Sequence, residues 1–199
     1  MAPHDHADIR DLEQALDVVE QDAQTLISGL TPEQGVWRPE PGSWSVSECL
    51  DHLATSNRVY LRAMESAAAH ALQRGRRRRK AALPGLVGGW FVRTLEPPVK
   101  PRFTMKAPKK IVPRASPALS DAAAQFLASQ DDVRAFLKTY ADIDLAGVRF
   151  ANPFIRGVRF SLATGLHVIA AHERRHLWQA WNVRSAEERA RGQHTEGPP

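Results

Sequence analysis

Residues 74 to 118 contain seven prolines (84, 97, 98, 101, 108, 113 and 117), and no helix or central strand of ordinary length runs through that density of them. The stretch therefore divides the chain into two parts joined by a long connector. On both sides the hydrophobic spacing is helical. Ile9, Leu12, Leu16, Val19, Ala23, Leu26, Ile27 and Leu30 share one face over residues 8–30, with Gly29 near the end. Thr31, Pro32 and Gln34 read as the capped start of a short turn, and two prolines in residues 37–42 prevent regular structure there. Ser45 with Glu48 forms a capping box that starts a second helix at Val46, with Trp44 placed to staple onto Cys49. Its stripe runs through Leu50, Leu53, Asn57, Tyr60 and Met64 and fades near His70.

Beyond the connector, Leu119, Ala123, Phe126, Leu127, Val133, Leu137 and Tyr140 mark a third helix. Asn152-Pro153 and Gly157 punctuate a loop, and a fourth helix is expected from about Ser161 to Asn182. Inside the connector the apolar island Leu83 to Leu95 is compatible with a short helix despite Gly88 and Gly89. No segment alternates long enough for a strand, and no internal repeat is found. Four helices with two short links and one long link describe an all-α, antiparallel four-helix bundle with a crossover between helices two and three. The whole chain, 1–199, is expected to be one domain: a bundle core over about 8–183, the connector 74–118, and a polar tail 185–199 that frays.

Charge is unevenly placed. Residues 74 to 114 hold 13 of the 27 basic residues and a single acid, Glu96, a net of +12, whereas the other 14 basic and 21 acidic residues leave −7. A uniformly basic protein is excluded. The cationic segment reads as a solvated connector lying on the acidic body, as an attractor for an acidic small substrate or thiol cofactor, or as a contact for nucleic acid or anionic lipid. No motif supports sequence-specific nucleic-acid binding. The single cysteine, Cys49, excludes an internal disulfide framework and points to a reducing compartment. No run approaches the roughly 20 apolar residues of a membrane span, and the charged first 20 residues lack a signal peptide's apolar core, so the chain reads as cytoplasmic.

The chemistry concentrates on the fourth helix. Its stripe is Leu162, Leu166, Ile169, His172, His176, Ala180, Val183, with two histidines where apolar residues belong. Spaced by four, they stack on one face, about 6 Å apart along the axis. Each is either a core histidine bonded to a neighbour or one of a pair that ligates a divalent metal. His52 lies at the border of the second helix's buried stripe, beside Cys49 and Ser56, and a facing helix brings such a residue within reach of the pair. Three histidines leave coordination positions open, as a catalytic metal requires; otherwise His52 is a border residue without that role.

Residues 172–176 also read H-E-x-x-H, with Glu173 as would-be general base, but Gln179 and Asn182 stand where a metzincin carries Gly and its third His. Glu173 remains a candidate for bonding a ligand histidine or a bound water. His167 turns to another face. Cys49 is a soft ligand, a nucleophile or a small hydrophobe; Trp44, Trp178 and Trp181 are packing residues or an aromatic wall; His4, His6 and His194 lie in tails.

Trp44-Ser45-Val46 leading into Asp51-His52-Leu53, followed by His172-Glu173-Arg174-Arg175-His176-Leu177 and Gln179, resembles the DinB-like (YfiT-type) superfamily over about Leu12 to Val183. The resemblance implies a four-helix bundle in up-down-down-up order, a divalent metal on His52, His172 and His176, and the long crossover. It also implies a metal-dependent enzyme acting on a small molecule, either a hydrolase or a thiol-dependent S-transferase, and a homodimer. Zinc or nickel suits three imidazoles, with a low-molecular-weight thiol as the second candidate cofactor. From another class, the alternative is a non-catalytic module whose cationic 74–114 segment binds an anionic partner.

Overall fold

The computed structural model of the protein describes residues 6–98 and 107–195, the side chains of 194 and 195 excepted. The histidine at 4, the side chain of the histidine at 194, the basic residues 100, 102 and 106 and the end of the tail, 196–199, lie outside the described residues. Along the chain come α1 (Ala7–Ile27), α2 (Pro32–Val36), α3 (Val46–Gln73), α4 (Leu86–Leu95), a 3-10 turn (Lys109–Ile111), α5 (Leu119–Tyr140), β1 (Arg149–Ala151), β2 (Arg159–Ser161) and α6 (Leu162–Thr195).

Helix α1 buries the expected face, from Ile9 to Leu26, and stops where Gly29 takes φ +75°. Thr31 and Gln34 then form a reciprocal capping box for α2. The same device starts α3. Ser45 Oγ accepts from the Glu48 amide at 3.2 Å while Glu48 Oε2 accepts from the Ser45 amide at 2.9 Å, and Arg38 grips Glu48 at 2.6 Å. Such a cap contributes about 1 kcal/mol and sets the phase of everything after it, His52 included. The four long helices α1, α3, α5 and α6 surround the core: α3 packs on α5 and α6, and α1 on α6 and α5.

Two findings differ from the sequence reading. Residues 149–161 form a two-stranded antiparallel hairpin, pairing Phe150 with Phe160, around a loop in which Asn152 Oδ1 accepts from the amides of Phe154 and Ile155. Three-residue strands are too short to register as alternation. Helix α6 also runs to Thr195 instead of stopping near Asn182. Its extension is held by i,i+4 ion pairs, Arg184–Glu188 and Arg191–Glu187, and by Gln34 bonding the buried Glu187 at 3.2 Å.

The connector is fastened rather than loose where it is described. Arg78 N donates to Asp142 O and Asp144 N to Arg76 O, a single strand-like bridge around Arg77 and Ile143. Arg78 pairs with Asp8 at 2.5 Å, Glu96 with Arg174, and Arg114 with Asp51 at 2.6 Å. Helix α4 lies on α6.

The apolar core is in two pieces. One contains Ile9, Leu12, Tyr60, Met64, Phe136 and Ile169; the other contains Val19, Leu26, Leu50, Phe126 and Leu177. Between them, α3 contributes Ser56 and Asn57, α5 Ser129 and Gln130, and α6 Glu173, all buried. The stripes of three helices turn polar at one level; on α6 His172 and His176 flank Glu173, and on α3 His52 lies five residues before Asn57.

Candidate metal centre

His52 from α3 and His172 and His176 from α6 come together, with one ring nitrogen of each within 4.8 Å of the others. The His52 and His176 ring centroids are 4.4 Å apart, and those of His172 and His176 4.6 Å. The i,i+4 spacing supplies the α6 pair, and the Ser45 cap sets the turn of α3 that faces it.

Two of the rings are already oriented. His52 Nδ1 lies 2.5 Å from the Ile111 carbonyl oxygen, and His176 Nδ1 lies 3.0 Å from Gln179 Oε1. A carbonyl only accepts, so Nδ1 of His52 carries the proton and Nε2 keeps its lone pair; Gln179 Oε1 fixes His176 likewise. Nε2 of His52 faces Nε2 of His172 at 3.3 Å. Burial lowers the pKa of all three rings. It takes His172 down to about 3, His52 and Arg175 adding to the effect, and holds His176 well below its usual value. For His52, burial outweighs the opposing pull of the Ile111 carbonyl and Asp51. Three neutral imidazoles with convergent nitrogens are the donor set a divalent metal takes, and the residues present fit one.

Trp44 walls this cluster, its ring 4.7 Å from that of His52 and 5.6 Å from that of His176. The strap carrying Ile111 is fixed one residue from His52, because Asp51 accepts from both the backbone amide and the Nε of Arg114. Glu173 turns away from the histidines. Its Oε1 accepts from Asn57 Nδ2 at 2.7 Å and Gln130 Nε2 at 2.5 Å, its Oε2 has no partner, and burial pushes the carboxyl up to about 7.

His167 is outside the cluster and bonds the Ala82 carbonyl. Cys49 is completely buried, its thiol pushed far up by burial, and packs as an apolar side chain. Trp181 donates to Asp22, and Trp178 sits on the surface. Sequence reasoning missed Ile111, which acts through a main-chain carbonyl and so leaves no signal in its identity. It also missed Gln130, four residues after Phe126 on a buried stripe, a position where an amide is itself a signal.

No curated protein and no solved structure gives a significant match to the chain. A family model does, over residues 15–180, a span that includes the α3 histidine, the crossover and the α6 pair. By that match the chain belongs to the DinB superfamily.

Proposed function

We propose that the protein is a metal-dependent enzyme in which His52, His172 and His176 hold one divalent ion, zinc or nickel, inside a four-helix bundle running up-down-down-up. The observation that carries this reading is the convergence of three ring nitrogens within 4.8 Å, two of the rings having their other nitrogen tied. The helix order is supported by hydrogen bonds. Along α3 and α5 the partners rise together, Asn57 with Ser129 and Glu65 with Tyr140, as they do along α1 and α6, Asp22 with Trp181 and the Leu26 carbonyl with Arg184. Between α3 and α6 they run oppositely: His52 meets His172, while Met64 lies against Gly165.

A bound divalent ion supplies Lewis acidity and lowers the pKa of water or a thiol. The chain's own residues do the rest. Burial keeps the three imidazoles neutral, the ligating form. The Ile111 carbonyl and Gln179 hold two rings in one tautomer, and Trp44 covers one side. Glu173, raised to about 7 by burial, takes up and releases a proton at Oε2 near neutral pH, the amides of Asn57 and Gln130 having fixed Oε1. The reaction is hydrolysis or thiol transfer on a small molecule. Because Cys49 is buried and its thiol stays protonated, a transferring thiolate comes from a separate low-molecular-weight thiol.

Metal analysis by mass spectrometry on protein purified without a nickel column tests the site. About one ion per chain is expected in the wild type and a near-complete loss in His172→Ala. Metal-free wild type, or an unchanged content in the variant, overturns it.

A further inference from the structure

Half of the exposed large apolar side chains among the described residues fall within eight positions: Leu83, Leu86, Val87 and Trp90, with Leu86 97% and Val87 76% exposed. Helix α4 is apolar on two faces. Gly88, Phe91, Val92 and Leu95 turn to the core and to α6. Leu86, Val87 and Trp90 share the opposite side and face outward. A contiguous group of exposed large apolar side chains on a helix calls for a cover.

The surroundings say which kind. Leu83, Leu86 and Val87 line a cleft of about 540 Å³ whose rim carries Lys80, Arg149 and Arg159. All three cations are exposed, and Arg159 Nη2 donates to the Arg149 carbonyl at 3.1 Å, which keeps it on the rim. Arg77 and Arg79 precede them and Arg93 follows Trp90, all exposed. None of these six forms an ion pair among the described residues, and the segment's one acid, Glu96, is taken by Arg174.

We propose that this face docks on an anionic lipid bilayer, with Leu86, Val87 and Trp90 entering the headgroup layer and Lys80, Arg149 and Arg159 meeting its phosphates. An apolar tip ringed by cations is the pattern of an interfacial helix. At ten residues α4 is about 15 Å long, far short of a span, and no helix of the described residues is long and apolar enough to cross a membrane. A second copy seated on the same face in a two-fold dimer would set these cations against each other. Nucleic acid would use the cations and leave Leu86 and Val87 in water. The surface is separate from the histidines: Thr164, on the cleft wall, precedes His172 by eight residues, about 12 Å along α6.

Co-sedimentation with vesicles of phosphatidylcholine, with and without phosphatidylglycerol, tests the proposal. Binding is expected only to the anionic vesicles, weakening as salt rises and falling about tenfold or more in Leu86→Ser/Val87→Ser. Those side chains support nothing inside the fold, so the helical circular dichroism and metal content of the variant stay those of the wild type. No sedimentation of the wild type with anionic vesicles overturns the proposal, as does equal sedimentation of the variant. Duplex DNA binding indifferent to the apolar substitutions, without vesicle binding, assigns the cations to nucleic acid instead. A dimer of the wild type that the substitutions dissociate assigns the face to a second copy.

Discussion

Burial disfavours the charged form of Glu173 and of each of the three histidines, with opposite consequences for pH. The Glu173 carboxyl rises from 4.5 to about 7, so between those values the folded metal-free protein binds more protons than the unfolded chain and loses stability as pH rises. At 1.36 kcal/mol per unit the loss is about 3 kcal/mol. The histidines are depressed below 6.5, so the unfolded chain binds more protons on that side and stability is lost as pH falls. Below 6.5 the three rings act against the one carboxyl, so the metal-free protein loses stability on the acid side through the histidines and on the alkaline side of 4.5 through Glu173. Glu173→Gln keeps an acceptor for Asn57 and Gln130 and removes the buried charge. Denaturation of the metal-free variant should give about 3 kcal/mol more stability than wild type at about pH 8 and little difference at about pH 4. An offset that does not change with pH would sink this account of Glu173.

Helix α4 depends on a residue that spacing alone counts against a helix. A Cβ on Gly88 would come 2.5 Å from Thr164 Oγ1 and 2.8 Å from its Cγ2, so the glycine lets α4 lie directly on α6. Thr164 cannot yield easily, since its hydroxyl and amide both bond Ser161 Oγ at the start of α6. Gly88→Ala raises helix propensity by up to about 1 kcal/mol, yet the overpacking costs about 1–3 kcal/mol, so the variant should be the less stable in urea. Hydrogen exchange should quicken in α4 before α3; a stabilised variant would refute the close approach. The long helices were legible because each buries a full stripe: Leu119 and Tyr140 bound α5 in both sequence and structure. The hairpin was not, although Val148-Arg149-Phe150 and Val158-Arg159-Phe160 repeat ten residues apart around Asn152-Pro153. Its signal is similarity between two short segments, which periodicity within either cannot reveal. Nor was the end of α6, where charged i,i+4 pairs and the contact with α2 replace an apolar stripe.

At the scale of the molecule, the division of charge becomes a way of attaching the connector. Its first end is held by Arg78 on Asp8 and Arg76 on Asp144, its second by Arg114 on Asp51. The histidines were readable from sequence as a set, and so was the crossover, but not that the crossover returns to close over them. The chain separation of His52 from Ile111 hides a contact that only the folded path creates. The two attachments should therefore differ in what they control. Burial opposes ionisation of Asp8, yet Arg78 and the Ala82 amide hold its carboxyl below the usual range, so Asp8→Asn weakens a partly buried pair and costs about 1–3 kcal/mol. It leaves the strap over the histidines in place. Asp51→Asn removes a charge from an Arg114 that is itself 61% exposed, so its cost to folding is smaller, about 1 kcal/mol or less. Yet it loosens the segment whose Ile111 carbonyl fixes the His52 tautomer, and losing such an outer partner typically weakens a metal site about 10- to 100-fold. Metal transfer to a chelator should thus be faster in Asp51→Asn and unchanged in Asp8→Asn, while thermal unfolding ranks the two variants the other way. Equal release from both would mean that the connector's return path does not govern the site.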